Sequence, residues 1–404
     1  MQAIDEFRAE ARAWLEANAE PRREVKLRWG EGPDTVALLP EHTPEEDAAE
    51  VAEAKTWRAK VYDAGFAWVS GPVEYGGRGL TKEHERAWMA LEAGFQHPSN
   101  APFGIGLGMV APTVLAHAQE NVKSLVLPAM YRGDIIGCQL FSEPGAGSDL
   151  AGIQAWAVLD GDEWVLNGQK VWTSHAQHAD IGEIITRTSP VNGSRHQGMT
   201  MFLIDMHAPG VEVRPLRQMT GGASFNEVFL TDVRAPADRV LGDVGAGWGV
   251  ALTTLMNERM AIGGGSIDVD RGMKARLFEL ARQTGASADP AVRQHLAGVH
   301  INTAVARYTT MRAVAKLQAA EHEGDRQPGP ELSILKLALT NNLQRMAEAA
   351  TAILGPSLMA DSGEWGTYAW KDFVLGVPGF RLAGGTDEVM RNIVAERALG
   401  LPKG

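Results

Sequence analysis

The chain has 404 residues, 45% of them hydrophobic and 22% charged, with a formal net charge of −12 and one cysteine. That length exceeds one ordinary core and predicts two or three domains of globular composition. The charge, with no Lys/Arg run, excludes non-specific nucleic-acid binding. One cysteine excludes a disulfide framework and a multi-cysteine metal site, and no stretch is apolar enough for a membrane span. A lone cysteine fits a reducing cytoplasm, and the amphipathic N-terminus lacks the apolar run of a signal peptide.

Residues 2–20 read as a helix, with Ile4, Phe7, Ala11, Trp14 and Leu15 on one face. Residues 21–44 are an irregular connector. Helical pattern resumes near Pro44, with acidic residues in the first turn. SGPVEYGGRGL at 70–80 is a glycine-dense loop, after which Thr81 is placed to cap a helix carrying Trp88, Leu91 and Phe95 on one side. The glycines of 104–108 lack a preceding strand and read as close helix packing rather than a dinucleotide motif. Helical signals end near Arg132.

Residues 134–235 alternate and carry turn chemistry, which predicts an all-β module. WVLNGQKVW at 164–172 reads as a hairpin turning on Asn167-Gly168. Residues 198–206 form a further apolar strand, and 225–233 alternate up to Ala235-Pro236. From Gly247 onward the pattern is helical. Asp289-Pro290 starts one helix; Leu332, Leu335, Leu339, Leu343, Met346, Ala350 and Ile353 form a core stripe ended by Gly355-Pro356.

Three small polar clusters punctuate this plan. FSEPGAGSD (141–149) opens the β module, with small residues that let backbone N–H groups approach a ligand. Trp172-Thr173-Ser174 ends a strand of that module. Gly384-Gly385-Thr386-Asp387-Glu388 opens a helix near the C-terminus, where free N–H groups face electron-rich ligands. Together they suggest one large polar ligand held between domains. His175 and His178 read as polar loop residues rather than metal ligands.

With these blocks in place, the sequence resembles the acyl-CoA dehydrogenase family of flavoproteins. The resemblance covers nearly the whole chain and rests on PVEYGGRGL (72–80), QLFSEPGAGSD (139–149), NGQKVWTSHAQHAD (167–180), FNEVFLTDVRAP (225–236) and GGTDEVMRNIVAERALGLP (384–402). It implies an N-terminal helical domain (1–133), a middle β-barrel or sandwich domain (134–240) and a C-terminal four-helix bundle (241–404). It also implies FAD, an acyl-CoA thioester substrate, an electron-transfer flavoprotein as electron acceptor, and a homodimer, homotetramer or mixed tetramer. Carried over by motif, Gln139, Leu140, Phe141, Ser142, Gly147 and Ser148 line the flavin, Trp172, Thr173 and Ser174 flank its ring, and Thr386, Asp387 and Glu388 lie by the FAD. Ser148, Asn257, Arg259, Gly384 and Gly385 take the substrate.

The implied reaction is α,β-dehydrogenation: a carboxylate takes the α-proton and a hydride leaves the β-carbon for flavin N5. One branch of the family carries its glutamate before the Gly-Thr of the C-terminal motif, where this chain has Gly384. The isovaleryl-CoA dehydrogenase branch carries it on a bundle helix before an arginine. Here that position is Glu258, in the apolar stretch WGVALTTLMNERMAIGGG, followed by Arg259. Two family motifs depart. Arg282 stands near the place of an Arg-x-x-Phe-Gly arginine that reaches a neighbouring subunit's FAD, without the phenylalanine and at shorter spacing, and a Gly-Gly-x-Gly turn is replaced at 354–357 by Leu-Gly-Pro-Ser. Two alternatives share the fold: a flavin oxidase or monooxygenase, and a partner subunit that has lost FAD.

Overall fold

The computed structural model describes residues 2–22, 28–39, 41–264, 266–323 and 330–402. Parts of the predicted connector (23–27 and 40) and Gly265 of the predicted bundle helix lie outside the described residues. Contacts divide the chain into two units. One comprises Met1–Val25, Glu41–Arg217 and Ala223–Thr254, the other Lys26–Pro40, Gln218–Gly222 and Leu255–Gly404.

In the first unit, α1 (Ile4–Asn18) buries Phe7, Ala11 and Leu15, as their spacing predicts. α2 (Pro44–Asp63) starts on a reciprocal cap: Glu46 N donates to the Thr43 hydroxyl at 3.2 Å, and Thr43 N donates to the Glu46 carboxylate at 2.8 Å. α3 (Lys82–Glu92) follows Thr81, but that hydroxyl meets the His84 ring at 2.7 Å instead of capping a backbone amide. Trp88 and Phe95 pack with Phe7, Trp57 and Phe66 in one aromatic core, Phe66 stacking on Trp88 at 4.5 Å. A π-helical turn at Gly106–Val110 leads into α4 (Ala111–His117) and α5 (Glu120–Arg132). A Cβ added at Gly106 would stand 3.0 Å from the Gly137 nitrogen, so this glycine serves close backbone packing, as read from the sequence.

Eight strands among the described residues form one sheet. They are β1 (Gly137–Leu140), β2 (Trp156–Asp160), β3 (Glu163–Ser174), β4 (Ile181–Arg187), β5 (Met199–Asp205), β6 (Val211–Leu216), β7 (Phe225–Pro236) and β8 (Val240–Leu241). Their order is β6-β7-β3-β2-β4-β5-β8, with β1 pairing parallel to β4. β4 and β5 are buried on both faces, whereas β6 alternates and carries Pro215, which an edge strand tolerates.

The predicted hairpin at Asn167-Gly168 is not formed: β3 runs straight through it. The turn into β3 lies at Gly161, with φ 68, between Asp160 and Glu163. Asn167-Gly168 instead makes a bulge against β7. A Cβ at Gly168 would meet the Ala155 Cβ at 2.5 Å, and the Asn167 amide pairs with Asp232 at 3.0 Å. Close packing, not chain reversal, requires that glycine.

α6 (Gly247–Gly264) starts in the first unit and runs on into the second. The second unit continues with α7 (Ser266–Gln283), α8 (Pro290–Glu323), α9 (Glu331–Leu354), α10 (Trp370–Leu382) and α11 (Asp387–Ile393). Asp289 opens α8 by accepting from Ala291 N at 2.7 Å. The α9 stripe is buried from Leu332 to Ala350: Leu332 and Leu335 pack with Ala313, and the stripe from Leu339 onward packs with Leu277, Leu280, Val299, Trp370 and Phe373. Gly355 with φ 49 ends the helix. A helical first part, a middle sheet and a helical last part agree with the predicted fold class.

Candidate functional site

The predicted site residues fall in both units. In the first, β1 delivers Gln139 half-buried and Leu140 into the sheet core, and the chain turns at Phe141. The turn is closed by paired backbone bonds between Glu143 and Ala146 at 3.0 and 3.1 Å. Glu143, which the sequence reading passed over, anchors it. Its buried carboxylate accepts from Gln154 N at 2.6 Å, from Ala155 N at 2.9 Å and from Lys170 Nζ at 2.9 Å. Lys170 is fully buried and also donates to the Phe141 carbonyl at 3.0 Å. Burial pushes its ammonium down to about 8 although Glu143 holds it up. A buried pair with its donors satisfied fixes a backbone more surely than surface contacts can.

Val171 N donates to the Ser142 carbonyl at 2.9 Å, which ties this turn to the end of β3. There a register shift between Lys170 and Thr173 turns Trp172 into the left-handed region, φ 62, with 62% of the residue exposed. A bulky residue held there costs of order 1–3 kcal/mol and signals a conformational demand. The bulge aims a bare indole outward, its edge against Phe225 at 6.2 Å. Thr173 is buried, yet its Oγ1 has no hydrogen-bond partner. Ser174 beside it is half-buried. Gly147 and Ser148 are exposed, and a Cβ added at Gly145 or Gly147 would meet nothing within 4 Å. The chain's own packing therefore does not explain these glycines. A planar indole, an orphaned buried hydroxyl and open glycines in one neighbourhood fit a flat ligand with hydrogen-bonding edges, as a flavin is.

In the second unit, Asn257, Glu258 and Arg259 are half-buried on α6. Burial pushes the Arg259 guanidinium down, Glu258 raises it, and Arg397 lowers it further. Arg282, at the end of α7, is exposed and ion-paired one turn back with Glu279 at 2.7 Å. Gly384 and Gly385 take φ 64 and 86, and a Cβ on Gly385 would strike the Met390 methyl at 2.6 Å. Thr386 caps α11 by accepting from Val389 N at 3.2 Å. Asp387 is buried and accepts from Lys336 at 2.9 Å, Thr340 at 2.9 Å and Arg381 at 2.8 Å. Burial alone would raise its carboxyl, but these bonds outweigh it and hold the carboxyl below its ordinary value. Glu388 is exposed and pairs with Arg391 at 3.1 Å. In each unit, then, a loop and a neighbouring element are brought together, while Arg282 lies exposed beside Glu279.

His178 hydrogen-bonds Asp47, and no group of three or more His, Cys, Asp or Glu that could hold a metal ion occurs among the described residues. No helix there is long and apolar enough to cross a membrane. Sequence reasoning also missed Glu183. An acid inside the apolar run of β4 was the signal that could have found it.

Three family models match in sequence order. The acyl-CoA dehydrogenase N-terminal domain matches residues 38–134, the middle domain 138–233 and the C-terminal domain 245–399. The chain is 35% identical over 406 residues to acyl-CoA dehydrogenase IpdE1 of Mycobacterium tuberculosis, covering 100% of this chain and 99% of that protein. Among solved structures it resembles the Tcur3481-Tcur3483 steroid ACAD (TM-score 0.73, 25% identity, 99% of this chain and 98% of the other). It likewise resembles a chain of the ChsE4-ChsE5 complex from Mycobacterium tuberculosis (TM-score 0.69, 25% identity, 100% and 99%).

Proposed function

The chain belongs to the acyl-CoA dehydrogenase family, and from that premise we propose that it oxidises an acyl-CoA thioester to the trans-2-enoyl-CoA with Glu258 as the α-proton base. FAD, when bound, supplies the acceptor for the β-hydride at its N5. The observation that carries the cofactor reading is the end of β3, where Trp172 is exposed in a strained backbone beside the orphaned Thr173 hydroxyl. Trp172 offers a stacking face, Thr173 and Ser174 offer hydrogen bonds, and Gln139, Leu140, Phe141, Ser142, Gly147 and Ser148 offer backbone and hydroxyl groups on a turn made rigid by Glu143 and Lys170. Thr386, Asp387 and Glu388 are assigned to the cofactor as well; the buried Asp387 acts by holding the turn before α11 in place. Ser148, Asn257, Arg259, Gly384 and Gly385 orient the thioester.

The α-proton passes to a Glu258 carboxylate oxygen, with the Arg259 guanidinium adjacent to it along α6. In this proposal the domains meet at 133/134 and 240/241, an electron-transfer flavoprotein is the acceptor, and the location is cytoplasmic. The test is anaerobic single-turnover flavin bleaching with a panel of acyl-CoA thioesters. Glu258→Gln should retain flavin and bleach about 10²–10⁴-fold more slowly; bleaching at the wild-type rate would remove Glu258 as the base. Oxygen consumption without another acceptor would mark an oxidase instead.

A mixed assembly with a second, related chain is the reading we favour for the oligomer, with a bulky acyl group such as a steroid side chain as substrate. Arg282 is exposed beside Glu279, without the family motif's phenylalanine, and Gly355–Leu358 forms a 3-10 turn where the family's glycine-rich turn is altered. The similar structures carry two-chain names, one of them a steroid ACAD. Native mass spectrometry and flavin content of the chain purified alone test this; a homotetramer with one FAD per chain would overturn it.

A further inference from the structure

Glu183 is a buried titratable group that the proposed reaction leaves unused. It lies on β4 between Gln139 of β1 and Leu203 of β5 in register. Strand residues alternate sides, so Glu183 and Gln139 share the face opposite Cys138, Leu140, Ile184 and Phe202 of the sheet core. The Thr254 hydroxyl, on α6, hydrogen-bonds Glu183 Oε1. Thr254 Oγ1 lies 2.9 Å from Thr113 Oγ1, and the Thr113 hydroxyl donates to the Met109 carbonyl at 2.9 Å. Glu183 Oε2 is buried with no hydrogen-bond partner.

Counting hydrogens decides the charge state. Each threonine hydroxyl brings one hydrogen and an ionised carboxylate brings none. Three contacts would then share two hydrogens, leaving one pair of oxygens with lone pairs facing. A protonated Glu183 supplies the third, and the chain closes: Glu183 donates to Thr254, Thr254 to Thr113, and Thr113 to the Met109 carbonyl. The bare Oε2 agrees, because a neutral carbonyl oxygen without a partner costs less than half of a buried carboxylate does. Burial pushes the Glu183 carboxyl up to about 8, against a lowering by Thr254. Cys138 is a neighbouring titratable group, its thiol pushed up by burial.

We propose that Glu183 is a neutral positioning residue that seats α6 by donating to Thr254, one helical turn before Glu258. On a continuous helix, a buried bond at one turn fixes the rotational phase of the next. The consequence for the reaction rests on Glu258 being the base; the protonation of Glu183 does not.

The first test needs no substrate. Infrared difference spectra of the purified protein at neutral pH should show a protonated-carboxyl band that Glu183→Gln removes and Glu258→Gln keeps; a wild type without that band overturns the proposal. The second is single-turnover bleaching, with flavin content, acyl-CoA affinity and thermal midpoint recorded for each variant. Thr254→Val should slow bleaching about tenfold with flavin and affinity held, while Glu183→Gln, neutral and still a donor, should stay within about threefold of wild type. Thr254→Val at the wild-type rate, or Glu183→Gln as slow as Glu183→Ala, overturns it. If the band is present, Thr254→Val slows bleaching and Glu258→Gln bleaches normally, the seat of α6 stands and only the base assignment falls.

Discussion

The turn at 141–148 with the end of β3, and the turn at 384–388, use the same kinds of residue and spend them differently. In the second, nearly every group is consumed by the chain itself: Gly385 faces Met390, Thr386 caps α11, and Asp387 is gripped by Lys336, Thr340 and Arg381. In the first, groups are left over: Thr173 Oγ1 has no partner, Trp172 stands exposed in a strained conformation, and Gly145 and Gly147 border open space. Small polar motifs that look alike in sequence thus differ in how much of their chemistry the chain itself consumes. Leftover groups, not the motif, mark that difference.

Substitutions can break or sharpen that contrast. The largest effect is expected at Asp387. Asp387→Ala strands the buried Lys336 and should cost about 3–5 kcal/mol in denaturant unfolding; a loss confined to flavin content would turn that region into a ligand surface. Thr173→Val should do the reverse, leaving stability within about 0.5 kcal/mol while flavin affinity, by equilibrium dialysis, falls about five- to tenfold. Gly147→Ala should likewise leave unfolding unchanged and weaken flavin binding about threefold. A large stability loss at either position would mean that the chain uses the group itself. A further effect is in pH dependence. Glu183 has a folded value about 8 against an ordinary value of 4.5, so the folded state keeps a proton that the unfolded chain releases. Its contribution is full below 4.5 and is lost as pH rises through about 8. Glu183→Gln should flatten that slope in urea titrations at several pH values.

Local chemistry was legible where the outcome is local. The α1 face, the Asp289-Pro290 start of α8 and the α9 stripe with its glycine stop follow from spacing and caps. The hairpin at Asn167-Gly168 failed because its glycine answers to Ala155, a tertiary neighbour that no turn rule contains. Distance along the chain hid the rest. Lys170 reaches Glu143 across 27 residues, and Lys336 reaches Asp387 across 51. A positive φ at Trp172 is not encoded by tryptophan's own preferences but imposed by a register shift between two strands. The motif blocks therefore suggest where a site would be, while the strain at Trp172 and the unsatisfied Thr173 hydroxyl emerged only with the sheet.

Cys138 sits at 0% exposure on β1, its thiol pushed up by burial. An uncharged, enclosed thiol reacts slowly with alkylating reagents, and the sequence contains no other cysteine to compete for label. Its rate of modification is consequently a clock for the opening of the β1–β4 pair, read by intact mass without any engineered probe. Ligands that tighten the turn following β1 would slow that clock, which makes occupancy measurable even for compounds that are never turned over.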